Sequence, residues 1–360
     1  MRRRGIVLSD LHLGTGHRRG RINVYDDFKE DERLFQLLDR HAGGDDEEVH
    51  LVLNGDIFDL LKVPVLGRFP DAISERLSKL KLYRCLKGHP RVVQAFARFL
   101  QNPRNVITYQ PGNHDLELFF PGSQRLFTRF VTGEDHHPRV RFALEGQLTL
   151  DGVQFHHGHQ FEALHAVDMK KLFLPIPGRD PILNLPWGSL FLLHVVNELV
   201  RERPYLDKVH PFWPLFVGGM ILDTRFTAKM IATSGAAFVR ARFNPNWWQK
   251  RPFTKVSQFL RKEIGFFEVL DRYAKKILKG PGDVRAVFMG HTHVPMLRTF
   301  EGNRVYVNTG TWIPTVDLGL GRLGQHLELH FGAIEWTADG PRASLHRWHG
   351  VRAESEEISS

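Results

Sequence analysis

Asn105-Val106-Ile107-Thr108-Tyr109-Gln110-Pro111-Gly112-Asn113-His114-Asp115 carries the reading of the whole chain. Asn105–Tyr109 reads as a strand, and Pro111-Gly112 as the turn that ends it. Three side chains able to bind a metal or move a proton follow at once. The same arrangement recurs four more times. Gly5–Ser9 runs into Asp10-Leu11-His12, and His50–Leu53 into Asn54-Gly55-Asp56-Ile57-Phe58-Asp59. Gly152–His156 runs into His156-His157-Gly158-His159, and Arg285–Met289 into Gly290-His291-Thr292-His293. Strand ends are where an α/β fold gathers loop side chains into one crevice. Any one cluster reads equally well as a turn, a cap or solvated loop residues. With 20 histidines in the chain, chance pairs are common. Five clusters in order, each behind a strand, are not explained that way. His136-His137-Pro138, His346 and His349 follow no such pattern and read as surface residues.

The clusters offer carboxylate, imidazole and an amide oxygen, with no thiolate. That set suits Mn, Fe or Zn and excludes an Fe–S cluster or a structural zinc finger. A carboxylate with two oxygens can bridge two ions. Amphipathic helices are expected between the strands, over Asp26–His41, Asp71–Leu86 and Arg91–Gln101. Further strands are expected at Val140–Ala143, Gln147–Leu150, Arg304–Asn308, Gln325–Phe331 and Arg342–Trp348. Val305-Tyr306-Val307-Asn308-Thr309-Gly310-Thr311-Trp312 reads either as a buried strand and turn or as a stretch beside the site.

The composition is globular: 360 residues, 42% hydrophobic and 25% charged. It excludes a disordered or collagen-like chain. A lone Cys85 excludes a disulfide scaffold. The apolar run behind Met1-Arg2-Arg3-Arg4 is too short for a signal peptide. The longest uncharged stretch, Pro181–Asn197, has seventeen residues and is broken by Pro186 and Gly188. No spanning helix is expected, and the cytoplasm is the expected compartment.

The net charge of +9 is unevenly placed. Residues 161–280 hold 19 Lys+Arg and 10 Asp+Glu, so the rest of the chain is neutral. This block reads as helical over Gly188–Arg203, Gly218–Phe243 and Thr254–Leu278, with prolines between. Trp187, Leu190, Phe191, Leu192, Leu193, Val195 and Val196 are apolar nearly all round. Phe212, Trp213, Leu215, Phe216, Val217, Met220, Ile221 and Leu222 repeat the pattern, and Trp247 and Trp248 precede Lys250-Arg251. Greasy and basic residues together suit an anionic membrane surface or a phosphorylated lipid. The alternative is that these helices pack on each other and on the core. The apolar runs are longer than a base-stacking platform needs, so nucleic acid is not the expected partner. The organisation expected is a core of 1–160 and 281–350, a cap or lid of 161–280, and a frayed tail of 351–360.

The series Asp-x-His, Gly-Asp, Gly-Asn-His-Asp, His-Gly and Gly-His-x-His, from Asp10 to His293, resembles the calcineurin-like metallophosphoesterases. The resemblance covers 1–160 and 283–350. It implies a four-layer α-β-β-α sandwich of the α/β class, α+β in type, with a large helical insertion. It also implies two divalent ions, manganese first, with iron or zinc able to use the same ligands. The first ion would take Asp10, His12, Asp56 and His293. The second would take Asp56, Asn113, His157 and His291, with Asp56 bridging. His114 matches the family histidine that approaches the phosphate and protonates the leaving group, and Asp115 would orient it. His159 stands where the family has an acidic or similar residue, so His156 and His159 are reserve ligands. A hydroxide held between the ions would attack phosphorus in line.

Within the family, Asp10-Leu11-His12-Leu13-Gly14, Gly290-His291-Thr292-His293-Val294-Pro295 and the insertion are similar to the UDP-2,3-diacylglucosamine pyrophosphatases. The chain departs from them at His114, where they carry arginine, and in its longer insertion. The implied activity is hydrolysis of a phosphodiester or pyrophosphate bond in an amphiphilic substrate, at the inner face of a membrane. Two alternatives stand beside it. One is a phosphatase, nucleotidase or nuclease for a soluble substrate, with the insertion as lid or oligomer interface. The other is a non-catalytic scaffold, which the complete ligand set disfavours.

Overall fold

The computed structural model describes residues 2–17, 22–44, 46–210, 223–243, 266–317, 323–351 and 356–358. The apolar segment Phe212–Leu222, the pair Trp247 and Trp248, and the start of the helix expected from Thr254 lie outside them, as does most of the tail.

Four parallel strands form one half of a seven-stranded sheet: β1 (Arg2–Leu8), β2 (Glu47–Asn54), β3 (Val106–Gln110) and β4 (Val140–Phe142). β15 (His330–Thr337), β16 (Gly340–Arg347) and β17 (Glu356–Glu357) extend it antiparallel from β1. A five-stranded sheet has the order β11-β12-β10-β6-β5. Its parallel centre is β6 (Val153–Phe155), β10 (Ala286–Met289) and β12 (Arg304–Thr309). β5 (Leu148–Leu150) and β11 (Pro295–Phe300) form its antiparallel edges.

Period-two alternation explains why the layers stack. Ile6 and Leu8 face a core shared with helices α1 (Asp31–His41), α3 (Pro90–Phe99) and α4 (Pro121–Thr132), while Val7 faces the other sheet. In β10, Phe288 joins Val7, Val52 and Ile334 between the sheets, and Val287 and Met289 point outward. That outer face is covered by Leu270, Ala274 and Leu278 of the Phe266–Leu278 helix. The result is a four-layer α-β-β-α sandwich of mixed α/β class. Its last helical layer comes from inside the 161–280 stretch.

The pattern reading differs from the fold in several places, among them the unexpected edge strand β11. α4 is not announced by the sequence pattern. It starts on Pro121 and stops at Gly133 in the left-handed region, the expected asymmetry of helix ends. Gln325–Phe331 does not form one strand. Residues 324–326 form β14, paired with β13 (Thr315–Asp317), and β15 starts only at His330. The basic block contains a hairpin, β7 (Phe173–Ile176) and β8 (Arg179–Leu183), turned at Pro177-Gly178. Its prolines sit in an isolated two-stranded edge, where a missing donor does no harm.

The apolar helical run of Trp187–Phe191, Leu192–Val196 and Asn197–Val200 packs inward. Leu193 joins Leu61, Ile73, Leu116 and Phe119, and Val195, Leu199 and Val200 gather Leu206 and Met230. Among the described residues no helix is long and apolar enough to cross a membrane.

The loop behind Asp115 is tied down by charge. Lys81 of α2 (Glu75–Gly88) reaches Glu117 at 2.6 Å, and both side chains are fully buried. Removing one partner of such a pair strands the other charge, so Lys81→Met should cost about 3–5 kcal/mol. Urea unfolding checks this. A loss under about 1 kcal/mol, the scale of an exposed pair, would contradict it.

Candidate metal centre

All five clusters lie at the C-terminal ends of parallel strands, in the crevice where the two sheets meet. Asp10 and His12 follow β1, Asp56 follows β2, Asn113 follows β3, His157 follows β6, and His291 and His293 follow β10. The loops are laced together. Asp10 N–H donates to Gly55 O at 3.1 Å and His12 N–H to Asp56 O at 3.0 Å. The His291 N–H reaches Asp10 Oδ2 at 3.0 Å, and the His114 N–H reaches Asp56 Oδ1 at 2.8 Å.

The backbone is strained where the side chains converge. Eight non-glycine described residues have positive φ, and five are Asp10, His12, Asp56, His291 and His293. Such conformations cost energy and concentrate at functional sites. Two glycines make the approach possible. A Cβ on Gly112 would overlap Asp56 Oδ1, and one on Gly290 would overlap Asp10 Oδ2.

Ligand-type atoms fall within mutual reach in three groups: Asp10, His12 and His293; His12, Asp56 and His114; and Asp56, His157 and His291. Asp56 belongs to two of them. His12 Nε2 and His293 Nε2 stand 3.0 Å apart. His157 donates from Nδ1 to Asn54 O at 2.9 Å, which leaves Nε2 aimed at Asp56 Oδ2, 3.0 Å away. Asn113 Oδ1 is buried without a hydrogen-bond partner. A buried lone pair left unsatisfied calls for a partner. Hard and borderline donors converging on two neighbouring points fit divalent cations.

The charges agree with that fit. Burial alone would raise the Asp10 carboxyl, yet His157, His12 and His293 hold it below its ordinary range. Asp56 is likewise held well down, against burial, by His157, His114 and His12. In return, and again against burial, Asp10, Asp59 and Asp56 lift His12 to about 10, and Asp56 and Asp10 lift His157 to about 9. In the metal-free chain these imidazoles hold protons that a dication must displace. Divalent-ion affinity should therefore rise with pH towards those values. Binding calorimetry in buffers of different ionisation enthalpy should register proton release, and its absence would contradict this protonation pattern.

The partner of His114 differs from the expectation. Asp115 does not touch its ring. The fully buried Asp115 carboxylate accepts from Tyr109 Oη at 2.5 Å, Ile57 N at 2.8 Å and Gly112 N at 2.5 Å. It organises the two loops from below, and burial with Asp56 nearby pushes it up to about 6. His114 Nδ1 instead meets Asp59 Oδ1 at 2.9 Å. Against burial, His114 and Lys62 keep Asp59 well below the usual carboxylate range. Lys62 Nζ lies 3.4 Å from Asp59 and 2.9 Å from Asp27, and also pairs with Asp207.

Of the reserve ligands, His156 turns away towards Phe161, and its Nε2 meets Gln154 at 3.3 Å. His159 is buried behind the site, its ring 5.4 Å from that of His157, and belongs to none of the three groups. Burial lowers both imidazoles, His156 to about 4 and His159 well below the usual value. Two neighbours carry no sequence signal: Glu162, whose Oε2 is 2.7 Å from His291 Nε2, and His165, whose Nδ1 is 3.4 Å from Asn113 Nδ2. Asn308 of the β12 stretch donates to Gly290 O at 2.8 Å, so it braces the loop of His291 and His293.

No family model matches the sequence, and no curated protein does. Among solved structures, a zinc complex of wild-type Vps29 from Entamoeba histolytica aligns at 11% identity, over 99% of this chain and 98% of that one, with a TM-score of 0.31. A double mutant of the same protein gives 9% identity, the same coverage and a TM-score of 0.33. A 5'-nucleotidase from Candida albicans gives 14% identity over 94% of this chain and 52% of that one, with a TM-score of 0.26. Identities and scores this low say nothing about function.

Proposed function

We propose that this chain is a metal-dependent phosphoesterase with a dinuclear centre, hydrolysing a phosphodiester or pyrophosphate bond. The observation that carries this is the chain of three carboxylate–imidazole groups, linked through His12 and Asp56, with His114 in the middle one. Asp10, His12, Asp56 and His293 would hold one ion, and Asp56, Asn113, His157 and His291 the other. Manganese is the first candidate, with iron or zinc as alternatives. Bound divalent ions supply an activated water nucleophile and neutralise charge on the phosphoryl oxygens. The chain's own work is positioning and proton transfer. With Nδ1–H donated to Asp59, the imidazolium form of His114 carries its second proton on Nε2 and can pass it to the departing oxygen, leaving the neutral Nδ1–H ring. Asp59, held ionised between His114 and Lys62, orients the ring and stabilises that cation.

For the substrate we propose an amphiphilic phosphoester, with UDP-2,3-diacylglucosamine as the test compound. Met169, Lys170, Lys171, Phe173 and Arg179 are all exposed, and this apolar and basic surface suits contact with an anionic lipid at the inner face of a membrane. A soluble phosphoester, with the block as a lid, is the second reading. The inward packing of Leu193, Val195 and Leu199 favours it.

The test is UMP release from UDP-2,3-diacylglucosamine with Mn²⁺, using Asp56→Asn as blank and a chromogenic phosphodiester as control. Release that vanishes in the variant supports both chemistry and substrate. Turnover of the control alone keeps the chemistry and rejects the lipid. No turnover of either overturns the reading.

A further inference from the structure

Two side chains outside the seven implied ligands reach the second ion's side of the site. Both come from one short stretch, Glu162-Ala163-Leu164-His165, just after the Gly158 turn. Glu162 Oε2 lies 2.7 Å from His291 Nε2. His165 Nδ1 lies 3.4 Å from Asn113 Nδ2, and its Nε2 is 3.9 Å from Glu162 Oε2. The stretch is wedged in place. A Cβ on Gly188 would fall 2.5 Å from the His165 ring. Glu162 and His165 are largely buried, with side-chain exposures of 14% and 26%.

Resting on the dinuclear reading above, we infer that Glu162 and His165 are positioning residues for the second metal. Each takes the atom of a ligand residue that must not face the ion. Glu162 accepts from His291 Nε2–H, which fixes the tautomer in which Nδ1 is the unprotonated nitrogen that would ligate. His165 Nδ1 accepts from the Asn113 amide N–H, which turns the oxygen of that amide the other way. Asn113 Oδ1 is the atom left buried without a hydrogen-bond partner. Asn and His orientations are set by such networks, and here both networks converge on one Glu-x-x-His turn. The turn belongs to the 161–280 block, so the start of that block is part of the metal centre's support. The contacts of Glu162 and His165 are to His291 and Asn113, both assigned to the second ion, so the effect is expected at that ion.

The experiment is Mn²⁺ binding to the full chain, wild type against Glu162→Ala, Glu162→Gln and His165→Ala. Calorimetry gives the two affinities, and thermal unfolding of the metal-free proteins gives the structural control. Glu162→Ala and His165→Ala should each weaken one site by about 10- to 100-fold, the range for outer-shell partners, and leave the other site and the metal-free melting curve unchanged. Glu162→Gln keeps an acceptor for Nε2–H, so its loss at that site should be smaller, about threefold or more. Equal weakening of both sites, or wild-type affinities in all three variants, overturns the assignment. Should Glu162→Ala not fold, Glu162→Gln decides: a wild-type second affinity overturns it. A wild-type chain that binds fewer than two ions contradicts the dinuclear reading itself, a separate outcome.

Discussion

Asp56→Asn is expected to abolish phosphoester hydrolysis while leaving the chain folded. Asp56 is the residue shared between the two sides of the site. Oδ1 accepts from the His114 N–H at 2.8 Å, and Oδ2 lies 3.0 Å from His157 Nε2. Asparagine keeps the size, and it tolerates the positive φ of 53° that Asp56 adopts, which alanine would not. What is lost is the negative charge and one of two carboxylate oxygens, at the position that both ions would share under the proposed dinuclear reading. An outer-shell partner costs about 10- to 100-fold, and a shared ligand should cost far more, so activity should fall to the blank. The variant should also remove the raising effect of this carboxylate on its histidine neighbours. With Asp56 neutral, the His157 imidazole loses the attraction that raises it, and its value should drop towards the ordinary histidine range by NMR titration. Retained turnover in a folded Asp56→Asn protein would remove the basis for a shared ligand.

The second large effect concerns His114. His114→Ala should reduce kcat by about 10²–10⁴-fold on a substrate with a poor leaving group, the usual range for a general acid. It should have little effect on a p-nitrophenyl ester, whose leaving group departs without a proton. Asp59→Asn should follow the same leaving-group dependence in weaker form, because His114 Nδ1 loses its anionic partner at 2.9 Å. Lys62 keeps Asp27 and Asp207, so the loss should appear in kcat more than in stability. Asp115→Asn should behave differently. Its carboxylate holds Tyr109, Ile57 and Gly112, so the variant should lose stability and lower turnover of every substrate alike. A His114→Ala variant whose deficit is equal for good and poor leaving groups would contradict the general-acid role.

The layers and the crevice were legible because they rest on local physics. The short apolar runs of β1, β2 and β10 and the polar residues behind each strand are all visible in the chain itself. What was not legible depends on side-chain direction. Asp115 is adjacent to His114 in sequence, yet its carboxylate turns under the loops, while Asp59, three residues beyond Asp56, comes up beside the His114 ring. Neighbourhood along the chain cannot tell these apart. Glu162 and His165 sit in a turn with no periodicity, so nothing marked them before the fold brought them against His291 and Asn113. The apolar run at 187–200 illustrates a different ambiguity. Its greasiness fits both a lipid surface and an interior, and the contacts with Leu61, Leu116 and Leu206 exist only in three dimensions. The Phe266–Leu278 helix was readable as a helix, but the sheet it covers was not.

The most direct measurement is turnover of a chromogenic phosphodiester by the metal-stripped full-length chain as Mn²⁺ is added back. The dinuclear account predicts no activity without metal, and restoration that saturates at two equivalents in the wild type and never appears in Asp56→Asn. Turnover that is unaffected by metal removal, or a chain that gains none at any Mn²⁺, Fe²⁺ or Zn²⁺ level, would contradict it.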